Sequence, residues 1–250
     1  MLAAASGLDR AQLVADPRAE MPPAAARVFG EMVRRRLRRE PVAYIVGWKG
    51  FRRLNLAVDH RVLIPRPETE LLVEVALERG PASVLDVGTG SGAIALAVAD
   101  ELPGCAVTAT DTSPQALEVA RANAGRLGFV DRVSFHSGSL PADGGFDLIL
   151  ANLPYVAEAD WSSLQPDVTR WEPREALLAG PDGLDSIRVL VAECGRRFDR
   201  VTAGRPTVIA LEVGEGQAAA VAGLLREAGF ARTEARRDLA GIERVVLGER

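Results

Sequence analysis

Residues 151–156 read ANLPYV and directly follow the apolar run FDLIL. An amide side chain, a proline and an aromatic ring are unusual company for a plain loop. Asn152 offers a side-chain oxygen and Leu153 a backbone carbonyl. Two such acceptors suit a planar NH2 group, whose two hydrogens they could hold together. The nitrogen of an amide or exocyclic amine is a poor nucleophile, because its lone pair is delocalised. Holding both hydrogens would aim that lone pair at an electrophile, with partial loss of conjugation. Proximity and alignment of this kind supply up to roughly 7–11 kcal/mol in favourable intramolecular cases. Tyr155 could stack on the planar group, and Pro154 would stiffen the loop. The proton can leave after group transfer, so no side-chain base is required. A strand-ending turn is the plain structural alternative.

A second group of residues lies upstream. LDVGTGSGAIAL (85–96) places Gly88, Gly90 and Gly92 around Thr89 and Ser91. Glycines let the backbone turn sharply and approach a ligand closely. The helix behind them offers free N–H groups at its N-terminus. Alone, such a loop fits NAD, FAD or S-adenosylmethionine, or a tight turn. Asp111 adds a carboxylate at the end of AVTATD, 23 residues after Gly88. A carboxylate there can accept both hydroxyls of a ribose, as in dinucleotide folds. Asp86 inside the strand, and G-x-G-x-G rather than G-x-G-x-x-G spacing, resemble motif I of class I S-adenosylmethionine-dependent methyltransferases. NLPY in turn resembles the [N/D/S]-P-P-Y motif of methyltransferases that modify planar NH2 groups. Leu153 departs from the commoner proline, and N-L-P-Y also resembles the rRNA adenine dimethyltransferases. Only the carbonyl of residue 153 is asked to act, so the change is expected to be tolerated.

The elements that must position these residues follow from pattern. DRAQLVADP (9–17) reads as a helix ending at Pro17, and residues 22–40 as a second helix that opens on proline. Residues 43–64 alternate around turn signals and predict a β-hairpin. PRPETE (65–70) breaks it, and a helix then runs to Gly80. From residue 82 strands and helices alternate. Strands are expected at ASVLDVG, AVTATD, RVSFHSG, FDLILAN, TVIALEV (207–213) and ERVVLGE (243–249). Between them lie helices, one of which has Ser113 as N-cap, Pro114 in its first turn and Gly128 as its stop. This rhythm predicts an α/β fold, doubly wound around a mostly parallel sheet.

Composition narrows the function. The chain has 250 residues, 48% hydrophobic content and a formal net charge of −4. That suffices for one sizeable α/β core and a small accessory domain. The acidity gives no global field for nucleic acid, although residues 27–40 are strongly basic. Cys105 and Cys194 show no disulfide or metal spacing and read as buried, reduced thiols of a cytoplasmic protein. His60 and His136 have no partner at ligand spacing, so no metal is expected. No secretory leader is legible, and no apolar run reaches membrane-spanning length.

Four further stretches flank the core in order: EPVAYIVGWKGF (40–51), VLIPRPETELLVE (62–74), EPREALLAGPDGLD (172–185) and LEVGEGQ (211–217). With the core they resemble the HemK/PrmC family, the N5-glutamine methyltransferases of peptide chain release factors. The resemblance runs from about residue 8 to the C-terminus, and PRPETE is its most specific mark. It implies a class I methyltransferase with a Rossmann-like, seven-stranded sheet. It also implies a helical substrate-docking domain at 1–40, a hairpin linker with PRPETE at 41–70, and the catalytic domain at 71–250. A first helix of the docking domain is expected to be missing. The implied substrate is the glutamine of the Gly-Gly-Gln motif in class-1 release factors, with S-adenosylmethionine as methyl donor and S-adenosylhomocysteine as product. Cofactor contacts are implied for Gly88, Thr89, Gly90, Ser91, Gly92, Asp111, Ser139, Leu140 and Asn152. Acceptor contacts and catalysis are implied for Asn152, Leu153, Pro154 and Tyr155. Ser139 stands where the family usually has an aspartate near adenine, with Leu140 packing beneath. A monomer without membrane contact is expected. The alternatives are a nucleic-acid adenine-N6 methyltransferase and a ribosomal-protein glutamine methyltransferase. The latter relatives carry a different sequence after PR.

Overall fold

In the computed structural model, which describes residues 1–16, 18–141, 145–201 and 207–250, the chain begins with helices. They are α1 (Leu2–Ser6), α2 (Arg10–Ala15) and α3 (Pro23–Leu37). A reciprocal capping box between Asp9 and Gln12 starts α2. Pro17, its expected stop, lies outside the described residues. Pro23 occupies the first turn of α3, where its missing N–H leaves nothing unsatisfied.

The expected hairpin is shorter than its alternation suggested. Pro41 and the left-handed Gly47 (φ 81°) bracket a one-turn helix, α4 (Val42–Val46), which buries Tyr44 and Ile45. Only β1 (Trp48–Phe51) and β2 (Leu54–Ala57) pair. Their turn places Arg52 at φ 49°, a conformation unfavourable for a side-chain-bearing residue. Glu101 holds the Arg52 guanidinium through two bonds of 2.8 and 2.9 Å, and Glu70 accepts its backbone N–H at 3.0 Å.

Five strands then run parallel: β3 (Ser83–Val87), β4 (Ala106–Asp111), β5 (Val133–Ser137), β6 (Leu148–Ala151) and β7 (Val208–Glu212). Two more, β8 (Arg232–Arg237) and β9 (Glu243–Glu249), pair antiparallel, and β9 also pairs antiparallel with β7. The sheet order is β5-β4-β3-β6-β7-β9-β8, the seven strands expected. β8 reads RTEARR and shows no apolar alternation, because it is a largely exposed edge strand. Charge suits an edge, since it discourages pairing with other chains.

The buried strands divide their side chains by period two. Val84, Leu148, Leu150, Ala210 and Leu247 meet α5 (Glu70–Arg79) and α6 (Ala93–Glu101) on one face. Leu85, Ile149, Leu211 and Val246 meet α9 (Asp185–Val201) and α10 (Ala218–Glu227) on the other. Both faces are covered, which is why these strands read as continuous apolar runs. Between β4 and β5 runs α7 (Pro114–Leu127). Ser113 caps it by accepting the Ala116 N–H, and Gly128 ends it in the left-handed conformation. A third apolar cluster joins Tyr44, Val58, Val62 and Ile64 to Ala116 and Val119 of α7, pinning the linker to the sheet domain.

The basic end of α3 is largely paired with acidic residues of the same chain. Arg35 pairs with Glu40, while Arg36 and Arg39 pair with Asp167 at 2.6 and 2.9 Å. Asp167 lies on the short helix α8 (Pro166–Thr169). Only Arg34 and Arg38 stay mostly in solvent, their side chains 70% and 67% exposed. Among the described residues, no helix is long and apolar enough to cross a membrane.

Candidate active site

The sheet reverses its winding between β3 and β6, and their C-terminal ends open a crevice there. A cavity of about 450 Å3 fills it. Gly88, Thr89, Gly90, Ser91, Asp111, Ser139, Asn152, Leu153 and Pro154 all line this cavity. Gly92, Leu140 and Tyr155 are not among its lining residues. Gly92 lies just below, as the left-handed N-cap of α6 (φ 84°). Leu140 packs against the apolar layer beneath.

The glycine loop is tied down from two sides. Gly88 and Thr89 both donate backbone N–H groups to the Thr110 carbonyl at 2.9 Å. Beneath them Asp86 is fully buried. Its Oδ2 accepts from the Thr89 hydroxyl at 2.6 Å and from the Ala95 N–H at 3.1 Å. Burial pushes the Asp86 carboxyl up to about 7, against those two bonds. Asp111 ends β4 and accepts the Gly90 N–H on Oδ2 at 2.9 Å and the Ser113 N–H on Oδ1 at 2.8 Å. Each carboxylate oxygen keeps a second lone pair for a ligand hydroxyl. The Thr110 hydroxyl donates to the Ser139 carbonyl at 2.7 Å, which holds Ser139 at the rim.

NLPY leaves the end of β6. Asn152 donates through Nδ2 to Thr69 Oγ1 at 3.0 Å. Thr69 belongs to PRPETE and is buried. Tyr155 points its hydroxyl at Glu212 Oε1, 3.3 Å away, and its carbonyl accepts from Gln217 Nε2 at 2.9 Å. Gln217 Oε1 in turn accepts the Gly214 N–H at 2.8 Å. LEVGEGQ thus clasps the far end of the loop. Burial drives the Glu212 carboxyl up to about 7. The Tyr155 hydroxyl draws it down. Burial also raises the Tyr155 phenol, with the neighbouring Glu212 carboxylate adding to it.

The remaining wall comes from the other two flanking stretches. Arg66 pairs with Glu172, whose second oxygen accepts the Ile64 N–H at 3.0 Å. This pins PRPETE to EPREALL, and Pro65, Thr69, Pro173, Glu175 and Asp185 all face the cavity. Pattern reading assigned PRPETE and LEVGEGQ no individual site residue. Thr69 and Glu212 emerge only because β6, β7 and the PRPETE turn converge. No cluster of three metal-ligating side chains occurs among the described residues.

A family model described as a methyltransferase domain matches residues 84–171. A crystal structure of a methyltransferase from Pyrococcus furiosus aligns with a TM-score of 0.56 at 18% identity, covering 88% of this chain and 98% of that one. At that identity it speaks for the fold alone. Sheet order and glycine loop together define a class I S-adenosylmethionine-dependent methyltransferase fold. A second model, described as the PrmC N-terminal domain, matches residues 1–47. The curated release factor glutamine methyltransferase of Geobacter sulfurreducens is 42% identical over 253 residues, spanning 99% of this chain and 87% of that protein. The protein of the same name from Neisseria gonorrhoeae is 44% identical over 247 residues, spanning 96% and 88%. The chain belongs to the release factor glutamine methyltransferase family.

Proposed function

We propose that this chain transfers a methyl group to the side-chain amide nitrogen of the glutamine in the Gly-Gly-Gln motif of class-1 peptide chain release factors. The observation that carries the chemistry is Asn152, whose nitrogen is committed to Thr69. Its oxygen is left as the acceptor the cavity can use. Asn152 Oδ1 and the Leu153 carbonyl hold the two amide hydrogens, and Pro154 stiffens the turn between acceptors. Tyr155 acts by anchoring the loop to Glu212 rather than by stacking. The family narrows the acceptor from any planar amine to a protein glutamine.

A cavity of about 450 Å3 lies within the range of about 300–1,000 Å3 usual for cofactor sites. Its donor set fits S-adenosylmethionine, which supplies an activated methyl group when bound. Asp111 would hold the ribose hydroxyls, and the backbone of Gly88, Thr89, Gly90 and Ser91 would face the amino-acid end. Ser139 would meet the adenine edge, while Gly92 and Leu140 support the loop from below. S-adenosylhomocysteine is then the product, and no metal takes part. The helices of residues 1–40 dock the release factor, residues 41–70 link, and residues 71–250 carry the chemistry. The enzyme works as a cytoplasmic monomer. Arg35, Arg36 and Arg39 are neutralised by Glu40 and Asp167, which weakens the basic field offered to an RNA acceptor.

Tritiated S-adenosylmethionine offered with a release factor, its Gln→Ala Gly-Gly-Gln variant and total RNA tests this reading. Label should enter the release factor alone and vanish with the glutamine. Label in RNA, or none in the release factor, overturns it.

A further inference from the structure

Gln217 is the N-cap of α10, yet its side chain makes no capping bond to that helix. It reaches back across three loops instead. Its Oε1 accepts the Gly214 N–H at 2.8 Å, while Nε2 donates to the Tyr155 carbonyl at 2.9 Å and to the Asp182 carbonyl at 3.2 Å. A backbone N–H only donates and a carbonyl only accepts. These partners therefore settle which end of the amide is which, and both of its hydrogens are committed. Two glycines make room for it. A Cβ on Gly214 would stand 2.9 Å from Gln217 Oε1. One on Gly183 would stand 2.9 Å from Gln217 Nε2 and 2.2 Å from the Tyr155 carbonyl oxygen.

The partners belong to segments that build the site. Tyr155 closes NLPY, whose Leu153 and Pro154 line the cavity. Asp182 lies in the turn before α9, whose Asp185, Ser186 and Val189 line it too. The two segments run side by side. Val156 donates its N–H to the Leu177 carbonyl at 2.8 Å, and Ala179 and Glu158 donate to the Val156 and Gly180 carbonyls at 3.0 Å. Gln217 itself is not among the lining residues. It is carried on a helix that buries Ala218, Val221 and Leu225, a rigid base for a supporting contact. We infer that Gln217 is a positioning residue, which ties the NLPY loop to the wall beside it and so fixes where Asn152 and the Leu153 carbonyl stand for the acceptor. This deepens the proposed glutamine chemistry and rests on it. The side-chain bonds of Gln217 go neither to the glycine loop nor to Asp111, so the cofactor end of the cavity lies outside its influence.

Gln217→Met keeps the length of the side chain and removes all three bonds. Gln217→Glu keeps the shape and the bond from Gly214 but sets an oxygen against two carbonyls. Both should lower kcat on a release factor between about 10- and 100-fold, the scale for catalytic groups that are present but misplaced. Binding stoichiometry and Kd for S-adenosylmethionine should stay within twofold of wild type, which separates misplacement from a loss of folded enzyme. In an Asn152→Ala background, Gln217→Met should cost less than in the wild-type background, because one of the groups it positions is gone. Equal losses in both backgrounds, or an unchanged kcat in the wild-type background, overturn the assignment. A second readout needs no acceptor. Amide hydrogen exchange at Val156, Glu158 and Ala179 should quicken about tenfold or more in Gln217→Met, while exchange in β3 stays as it was. Unchanged exchange at those three amides sinks the clamp. Were exchange to quicken while the wild-type enzyme failed to label any release factor, the assigned substrate would fall and the clamp would stand.

Discussion

Gly88 and Leu153 approach so closely that a Cβ on Gly88 would stand 3.0 Å from Leu153 Cδ2. Gly88 also has φ +75°, where a Cβ costs about 1–2 kcal/mol. The first glycine of the loop after β3 and the NLPY loop are therefore fitted to each other, and the Leu153 side chain shapes that fit. Gly90 has φ +56° but nothing within 4 Å of its Cβ position. Gly88→Ala should weaken cofactor binding and lower Tm more than Gly90→Ala does. Adding Leu153→Ala should restore the steric part in Gly88→Ala and leave the backbone part. Calorimetry on the single and double variants checks this; strict additivity would contradict the contact.

Asp111 carries two tasks on one carboxylate. It holds the loop through Gly90 and Ser113, and it is proposed to hold the ribose. Asp111→Ala should weaken S-adenosylmethionine binding by about 1.5–3 kcal/mol, as for a hydrogen bond to a charged group. Isothermal titration against S-adenosylhomocysteine should show a similar loss, since both share the ribose. Wild-type affinity in the variant would remove Asp111 from the ribose site.

Asn152→Ala should separate binding from turnover. Its nitrogen bonds Thr69 and its oxygen is assigned to the acceptor, so the cofactor loses little. Removing one positioned partner from such a site lowers kcat by roughly 10²–10³. Single-turnover methyl transfer, with Kd measured separately, distinguishes the two. A near-normal kcat would end the assignment.

Asp86 should leave a mark on the pH dependence of stability. Folded, its carboxyl holds a proton up to about pH 7; unfolded, it releases one near the ordinary value of about 3.9. Between those values the folded state binds more protons. Stability from this group therefore falls as pH rises through the window and is flat above it. One oxygen accepts both of its bonds, so an asparagine oxygen can replace it. Asp86→Asn should gain on wild type from pH 4 to pH 7, by roughly 4 kcal/mol at most. Urea unfolding of both proteins across that range checks it; parallel curves would refute the buried-charge account.

What pattern could reveal, and what it could not, divides by cause. The glycine loop, Ser113 cap and Gly128 stop were legible because local backbone geometry demands those residue types. The central strands β3, β6 and β7 were legible because burial on both faces makes them almost wholly apolar. β8 escaped because an exposed edge strand has no apolar alternation. α4 was hidden inside an alternating stretch, although Pro41 and Gly47 marked its ends. At the site, residue type named Tyr155 and Leu140 but could not say on which side of the loop they fall. Thr69 and Glu212 lay within stretches already singled out. Their convergence on Asn152 and Tyr155 is a tertiary event, with no local signal to announce it.

The basic end of α3 separates into an anchor and an open pair. Arg36 and Arg39 grip Asp167 on α8, and Arg35 grips Glu40 while donating to the Tyr44 and Ile45 carbonyls. These three join the N-terminal helices to the rest of the chain. Among the described residues Arg34 and Arg38 share only Glu31, and the Arg38 contact is 3.9 Å long. Exposed pairs of this kind contribute about 0–1 kcal/mol, so both cations remain available to a partner. A Gly-Gly-Gln loop offers little side-chain surface, and recognition of a whole release factor needs contacts elsewhere. Charge at the rim of such a contact acts mainly on encounter rate and depends on salt. Arg34→Glu with Arg38→Glu should therefore raise KM for the intact release factor, more at low salt than at high. Cofactor affinity and activity on a short Gly-Gly-Gln peptide should not change. Arg36→Glu with Arg39→Glu should act differently, loosening α3 and exposing the segment near residue 40 to limited proteolysis. If the Arg34 and Arg38 reversals leave KM untouched at every salt concentration, those residues only solvate the helix, and docking must use another face.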